Sequence, residues 1–304
     1  MHPAHTREFT ARPPLVSIGL PVRNGERYLG EALEALLAQT FQDFELIISD
    51  NASDDRTEHI ARFYAARDPR VRYVRNAANL GLARNYRQVF ELASGEYFKW
   101  APYDDLCDPE LLARCVEVLD RHPSVVLAYA RSLIIDEEGR VTAPYEDNLH
   151  LQAASACDRF KDLYRNLRLC HALYGLIRTD VLRRTPLIGS YLASDVVLLA
   201  ELTLYGTFWE IPQFLYRRRI HPASSNNIEI GQLLEFYDPR RKGQIALREW
   251  RHSWEYFRAM CRAPLGSAEK ARLFLFLLRF GFWNRRQLTA ELSLLLRHAM
   301  LRRS

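Results

Sequence analysis

Cysteine is scarce in this 304-residue chain and poorly placed for cross-linking: Cys107, Cys115, Cys157, Cys170 and Cys261 are an odd number and form no CxxC pair. That usage excludes a disulfide framework and a zinc knuckle, and it predicts a reducing compartment, the cytoplasm. Long apolar runs are missing as well. The longest near the C-terminus, residues 273–278, is bounded by Arg272 and Arg279 and is far too short to span a bilayer. Residues 1–14 carry His, Arg and Pro without an apolar centre, so no secretory leader is expected. The turn after the first apolar segment, Leu20-Pro21-Val22-Arg23-Asn24-Gly25, holds a single glycine, which is too few for a glycine-rich phosphate loop.

What is present is the composition of a globular protein, 48% hydrophobic and 26% charged, long enough for one large domain and an appendage. Its net charge of +5 is unevenly spread. From Arg240 to Ser304 fifteen Lys/Arg face four Asp/Glu, a net of +11, which leaves −6 on the first 239 residues. The basic tail interleaves Arg with Leu and Phe at helical spacing and carries no nucleic-acid reading motif, so an anionic membrane surface is the better partner and nucleic acid is not one. Helices that pack on the rest of the chain, or that pair two copies into a homodimer, account for the same pattern, and both alternatives stay open at this point.

The first half alternates between strand and helix patterns. Residues 15–20 form a buried strand candidate ending at Pro21, and residues 26–39 a helix with Leu29, Leu33, Leu36 and Leu37 on one face and Asn24 as a candidate cap. Strands are expected at 45–49, 70–75, 96–100 and 125–129, with helices at 54–66 (Ile60 and Phe63 inward), from Asn79-Leu80-Gly81 to Ala93, and at 109–121. This alternation predicts an α/β fold with a mostly parallel sheet flanked by helices. Beyond Arg131 it loosens, with a hairpin near Glu138-Gly139, helices at 159–169 and 195–205, extended segments at 171–178 and 207–217, and only helices after Leu233.

Two strand candidates run straight into carboxylates: Ile47-Ile48-Ser49-Asp50-Asn51-Ala52-Ser53-Asp54-Asp55 and Tyr97-Phe98-Lys99-Trp100-Ala101-Pro102-Tyr103-Asp104-Asp105. In an open α/β sheet such ends face the ligand crevice, and a paired acid there suits a hard divalent cation carrying phosphate. Asp50 can accept hydrogen bonds from a ribose or base, while Asp54 and Asp55 are read as helix caps. Asp108 is read as the cap of the helix after Pro109.

The ordered blocks Pro21-Val22-Arg23-Asn24, Asp50-Asn51-Ala52-Ser53-Asp54-Asp55, Asn79-Leu80-Gly81 with Arg84-Asn85, Ser94-Gly95-Glu96-Tyr97 and Asp104-Asp105 resemble those of the family 2 glycosyltransferases, enzymes of the GT-A fold. The resemblance covers roughly residues 14–225 and implies a C-terminal helical extension beyond a Rossmann-like sheet. It also implies a nucleoside-diphosphate sugar as donor (a UDP- or dTDP-sugar), Mg2+ or Mn2+ as cofactor, and transfer with inversion. The acceptor it implies is a hydroxyl of a cell-surface glycan or lipid-linked saccharide. On this reading Pro21, Val22, Arg23, Asn24, Asp50, Asn51, Arg84, Tyr103 and Asp104 bind the nucleotide. Asp105 is the metal ligand, with Asp104 facing ribose or sharing the metal. Ala193-Ser194-Asp195 looks like the family's base block, with Asp195 as the base. Arg219-Ile220-His221-Pro222 with Ser224-Ser225 looks like its late metal or diphosphate loop, with His221 as a ligand. Two departures stand out: Asn51 replaces a second Asp common in uridine-binding relatives, and Pro102 replaces an Asp of the longer acidic motif. Trp100 and Tyr103 are candidates to stack on sugar or base, with core packing as the alternative.

The expected organisation is a flexible N-terminus at 1–13, a glycosyltransferase domain at 14–230 and a basic amphipathic extension at 231–304. The domain divides into a nucleotide-sugar half at 14–130 and an acceptor half at 131–230. A cytoplasmic protein, peripheral on the inner face of the cell membrane, fits these features. Two other functions share the α/β nucleotide domain. One is a sugar-phosphate nucleotidyltransferase, which needs the glycine-rich loop missing here; the other is a non-catalytic nucleotide-sugar binder or membrane scaffold.

Overall fold

The computed structural model describes residues 12–222, 228 and 230–301. The expectations for residues 1–11 and for Ser224-Ser225 lie outside the described residues. In chain order the elements are β1 (Val16–Val22), α1 (Leu29–Leu37), β2 (Phe44–Asp50), α2 (Thr57–Ala65), β3 (Val71–Arg75), α3 (Leu82–Glu91), β4 (Tyr97–Trp100), β5 (Leu106–Cys107), α4 (Leu111–Arg121), β6 (Val125–Ile135) and β7 (Val141–Tyr145). There follow α5 (Ala156–Asn166), β8 (Leu176–Arg178), α6 (Thr179–Leu182), α7 (Ser194–Leu202), β9 (Thr207–Arg219), α8 (Ile230–Tyr237), α9 (Arg248–Arg262), α10 (Ser267–Trp283) and α11 (Arg285–Leu301).

All nine strands join one sheet in the order β3-β2-β1-β4-β8-β6-β9-β5, with β7 paired to β6. The nucleotide half is parallel: β2 and β4 flank β1, and β3 lies outside β2. Antiparallel β8 sits between β4 and β6, so the second half is mixed rather than purely parallel. β1 and β2 run in register from Val16↔Phe44 to Val22↔Asp50, which ends both strands at the same edge. That edge is where the site is built.

Side-chain alternation along the strands divides the core into two layers. Ile18, Leu20, Leu33 and Leu112 belong to the layer under α1 and α4. Phe98, Trp100, Val89 and Phe160 belong to the layer under α3 and α5. Gly19 points to the second face, and a Cβ there would meet Val89 at 2.6 Å and Phe98 at 2.7 Å, so only glycine lets α3 lie this close to the central strand.

The C-terminal helices continue that second layer. Tyr256 and Met260 of α9 and Leu273, Phe276 and Phe280 of α10 are buried with Phe160, Leu163 and Leu199. The Tyr256 ring meets Phe160 at 5.3 Å, and Phe280 meets Tyr164 at 5.1 Å. Fully buried Glu201 of α7 takes both arms of Arg262 on α9 at 2.9 and 2.8 Å. Among the described residues no helix is long and apolar enough to cross a membrane.

Several local expectations change. Phe63 is 45% exposed rather than inward, because Ala61 and Thr57 form the buried stripe of α2. Residues 171–174 form a 3-10 turn, so the extended segment is only β8. β6 continues to Ile135 because β9 pairs with it along its whole length. The hairpin at Glu138-Gly139 is present, with Gly139 at φ 83° as such a turn requires.

Asp147, 2% exposed beside Tyr145 and Glu210, is pushed up to about 7, chiefly by burial. A carboxyl raised in the folded state costs nothing below its unfolded value near 4, costs progressively more as pH rises from there, and carries its full cost above about 7. Asp147→Asn removes that cost. It is expected to raise stability at pH 8 by about 4 kcal/mol and to change it little at pH 4, read from melting temperatures at the two pH values.

Candidate active site

The strands end against a cavity of about 710 Å³. Pro21, Val22, Arg23 and Asn24 line it where β1 ends, and Asn51 where β2 ends. Two left-handed residues turn the chain here, Asn24 at φ 53° and Ala52 at φ 57°. Asn24 stitches the two loops together: its backbone N–H donates to Ser53 Oγ at 2.9 Å, and its Oδ1 accepts from the Asp54 N–H at 3.1 Å. It therefore does not cap α1, whose N-cap is Tyr28 with no side-chain bond.

Asp50 does not face the cavity. It is fully buried, with Oδ1 accepting from the Ser53 N–H and Oδ2 from Tyr73 and Arg75, each at 2.8 Å. Asn51, the next residue, lines the cavity instead. That side chain belongs to a network of amides in which Asn51 Oδ1 accepts from the Leu80 N–H at 2.8 Å and from Asn76 at 3.2 Å, while its Nδ2 donates to Asn79 at 2.9 Å. Asn76 Nδ2 also donates to Asn85, which exchanges hydrogen bonds with Ser49. The amides hold the start of α3 against the end of β2. Arg84, the neighbouring candidate, is exposed, does not line the cavity and interacts electrostatically with Asp238; Asn85 and Tyr86 face the cavity instead. Gly81 at φ 84° completes this turn, and a Cβ on it would meet the Tyr237 carbonyl oxygen at 2.5 Å.

Asp104 and Asp105 lie between β4 and β5, and β5 is pinned to β9 through Leu106↔Arg217. The two acids have opposite fates. Asp105 Oδ1 accepts from the Arg219 N–H at 2.9 Å, and Oδ2 accepts from Arg218 at 2.9 Å and from the Tyr216 hydroxyl. Burial pushes this carboxyl up and the Arg218 guanidinium opposes it. Both oxygens of Asp105, the expected metal ligand, are thus engaged by β9. Asp104 lines the cavity, and its Oδ2 lies 2.9 Å from His221 Nε2. Arg219 braces the same loop: it donates to the Asp104 and Glu137 carbonyls, each at 2.9 Å, and pairs with Glu31 at 2.7 Å. Asp108 binds Arg217 at 2.9 Å, whereas α4 has no side-chain cap, so the capping reading of Asp108 does not hold. Asp55 does accept from the first N–H of α2, that of Thr57, at 2.9 Å. Trp100 is core, its indole N–H donating to the Tyr86 carbonyl at 3.0 Å. Tyr103 lines the cavity, and burial pushes its hydroxyl up to about 12.

Asp195 sits half-buried in the first turn of α7, launched by Ala193 in the left-handed region at φ 52°. It does not line the cavity itself. The Cys170 thiol beside it is pushed up by burial and by the Asp195 charge, which also acts on Tyr174, a wall residue. Sequence reasoning missed Tyr174, Arg218 and the far wall, where α8 contributes Gln232, Glu235 and Phe236. The run Arg217-Arg218-Arg219 was the available signal: in a strand, alternation turns the middle residue to the opposite face from its neighbours.

The sheet gathers acids, amides and arginines at the C-terminal ends of its strands, the edge where α/β enzymes bind their ligands. Residues 17–185 match the model of Glycosyl transferase family 2, and the chain belongs to that family. It is 28% identical over 237 residues to an uncharacterized glycosyltransferase of Rickettsia typhi, covering 73% of this chain and 69% of that one. Its fold, GT-A, is similar to that of Staphylococcus aureus TarS 1-349 in complex with UDP-GlcNAc (TM-score 0.59, 17% identity, 91% of this chain and 79% of that one). It is also similar to that of the mannosyltransferase PcManGT from Pyrobaculum calidifontis in complex with GDP-Man and Mn2+ (TM-score 0.54, 17% identity, 94% and 86%).

Asp105→Asn strips a buried guanidinium of its counter-charge and is expected to cost about 3–5 kcal/mol in urea unfolding. Asp108→Asn, which breaks the more exposed pair with Arg217, should cost under about 1 kcal/mol in the same measurement.

Proposed function

We propose that this glycosyltransferase moves a sugar, with inversion, from a UDP- or dTDP-sugar to a hydroxyl of a cell-surface glycan or lipid-linked saccharide, and that it needs a divalent metal. The observation that carries the reading is Asp104 on the wall of a cavity of about 710 Å³ at the ligand edge of the sheet, with buried His221 Nε2 2.9 Å from its Oδ2.

The donor set fits Mg2+ or Mn2+. No group of three or more His, Cys, Asp or Glu side chains is placed to hold an ion among the described residues. A carboxylate and an imidazole suit an ion that takes its remaining ligands from water and phosphate oxygens. Asp104 and His221 would hold it; when bound, it supplies charge neutralisation to the departing diphosphate. Arg218, tied to Asp105 yet lining the cavity, adds a fixed cation on the same side. Asn51 and Asn79 line the side of the cavity assigned to the base, and Arg23 lines it at the end of β1. Asp195 takes the proton of the acceptor hydroxyl as that oxygen bonds to the sugar C1 and the C1–O bond to diphosphate breaks.

The reading extends to peripheral attachment at the cytoplasmic face of an anionic membrane. Its support is the exposed apolar set Leu275, Leu278, Phe282 and Trp283 among the arginines of α10 and α11. Homodimerisation through the same face is the competing outcome, separated by sedimentation without lipid.

Two variants divide binding from chemistry. Asp104→Asn should abolish the additional thermal stabilisation that Mn2+ gives in the presence of UDP, while its melting temperature without ligand stays close to that of the parent. Asp195→Asn should keep the UDP and Mn2+ shift and lose transfer by about 10²–10⁴-fold. Retained transfer by Asp195→Asn, or no shift of the parent with any nucleotide, would overturn the assignment.

A further inference from the structure

A second cavity, of about 310 Å³, opens on the other side of α8. Its walls come from three places: Tyr191 and Leu192 ahead of α7, Leu234 of α8, and the residues from Arg241 through Trp254 that lead into and form the first half of α9. Three arginines line it, Arg241, Arg248 and Arg251, and no acid does. Arg251 lies over the Tyr191 ring at 4.8 Å and pairs with buried Glu255 at 2.9 Å, a carboxylate it shares with Arg258 at 3.3 Å. Arg241 donates to the Ser190 carbonyl and to Gln244 Oε1 at 3.0 Å. Arg248 is the least committed, its Nε 3.8 Å from Glu249. The Glu291 carboxylate satisfies the N–H groups of Glu249 and Trp250, so an incoming anion would meet guanidinium groups rather than the helix end. At the rim stand two tryptophans, Trp250 and Trp254, 47% and 55% exposed.

We infer that this cavity receives the phosphate of a lipid-linked acceptor, the arginines taking the phosphate oxygens and the tryptophans the first part of the apolar chain. Three features carry the inference. Three arginines lining one cavity without a lining acid select a compact, multiply charged anion, for which Arg is the best-shaped donor. Tryptophan beside them is the residue that sits where water meets hydrocarbon, so the anion is one attached to a lipid. The wall segment Tyr191-Leu192 is held by His252, whose Nε2 meets the Leu192 carbonyl at 2.8 Å, and three residues after Leu192 the chain reaches Asp195. A lipid phosphate seated here therefore anchors the acceptor against the segment that carries the proposed base, while the donor occupies the opposite side of α8. The inference rests on the proposed transfer reaction for its purpose but not for its test.

The test uses the full chain without any nucleotide sugar. Phosphatidylcholine vesicles are doped with phosphatidic acid, which exposes a phosphomonoester next to its tails, or with phosphatidylserine at equal surface charge, and binding is followed by tryptophan emission and co-sedimentation. The parent should bind phosphatidic acid vesicles about tenfold more tightly than phosphatidylserine vesicles, with emission moving to the blue. Arg248→Glu, whose side chain is exposed and weakly paired, should abolish the difference without changing the melting temperature. Arg251→Ala should do the same, and a fall in its melting temperature through Glu255 would leave Arg248→Glu to decide. Equal binding to both lipids, an unchanged preference in Arg248→Glu, or full competition by soluble glycerol phosphate would overturn the inference. Stabilisation by UDP and Mn2+ is measured on the same samples: its loss in the parent alone would sink the transfer reading, and its survival with no lipid preference would sink only this one.

Discussion

The carboxylate of Asp105 is the point on which the site depends. Buried at the junction of β4, β5 and β9, it binds the Arg219 backbone, the Arg218 guanidinium and the Tyr216 hydroxyl, three successive positions bar one along a single strand. A charge this far from water is tolerated only when its partners are complete. That requirement fixes the end of β9 against the acidic loop, and everything functional nearby follows from it: Asp104 next in the chain is turned into the cavity, His221 two residues beyond Arg219 is delivered to it, and Arg218 is left lining the same wall. Arg219 reinforces the arrangement from outside by gathering the Asp104 and Glu137 carbonyls and the Glu31 carboxylate.

A comparable logic operates at the other lip of the cavity, with amides in place of charges. Asn51, Asn76, Asn79 and Asn85 satisfy one another and the neighbouring backbone, which sets the turn before α3 without any net charge. The contrast is chemically sensible. Neutral amides offer both donors and acceptors, whereas the cations that line the cavity, Arg23 at the end of β1 and Arg218 on β9, suit an anion. The Gly81 turn then brings this lip against Tyr237, so α8 is seated by the very segment that begins α3.

Much of this was legible beforehand, for definite physical reasons. β1, β2 and β4 are short, predominantly apolar segments of the kind a strand buried on both faces uses, and their ends coincide with the edge where the cavity opens. Asn51, Tyr103, Asp104 and the β1 end could be found because each follows directly from a strand terminus. Asp50 and Asp105 could not be told from their neighbours, since adjacent acids differ only in which way the chain turns them, and that is decided by Tyr73, Arg75, Tyr216 and Arg218 from distant parts of the sequence. Arg84 was preferred to Asn85 on charge, yet the helix turns the shorter amide inward. Residues of α8 lay beyond reach for the same reason, because no local pattern says which partner a short amphipathic helix will cover.

The division of labour between family match and fold has a practical consequence. The match ends at residue 185, but the layer containing Phe160 and Leu199 is finished by side chains from 256 to 280, and Glu201 depends on Arg262 for its counter-charge. A fragment trimmed to the matched region would uncover the part of that layer around Phe160, and one cut after α7 would also strand the Glu201 carboxylate. Domain swaps that keep the sugar-handling half and exchange the tail must therefore transplant α7, α9 and α10 together, as a single heritable unit.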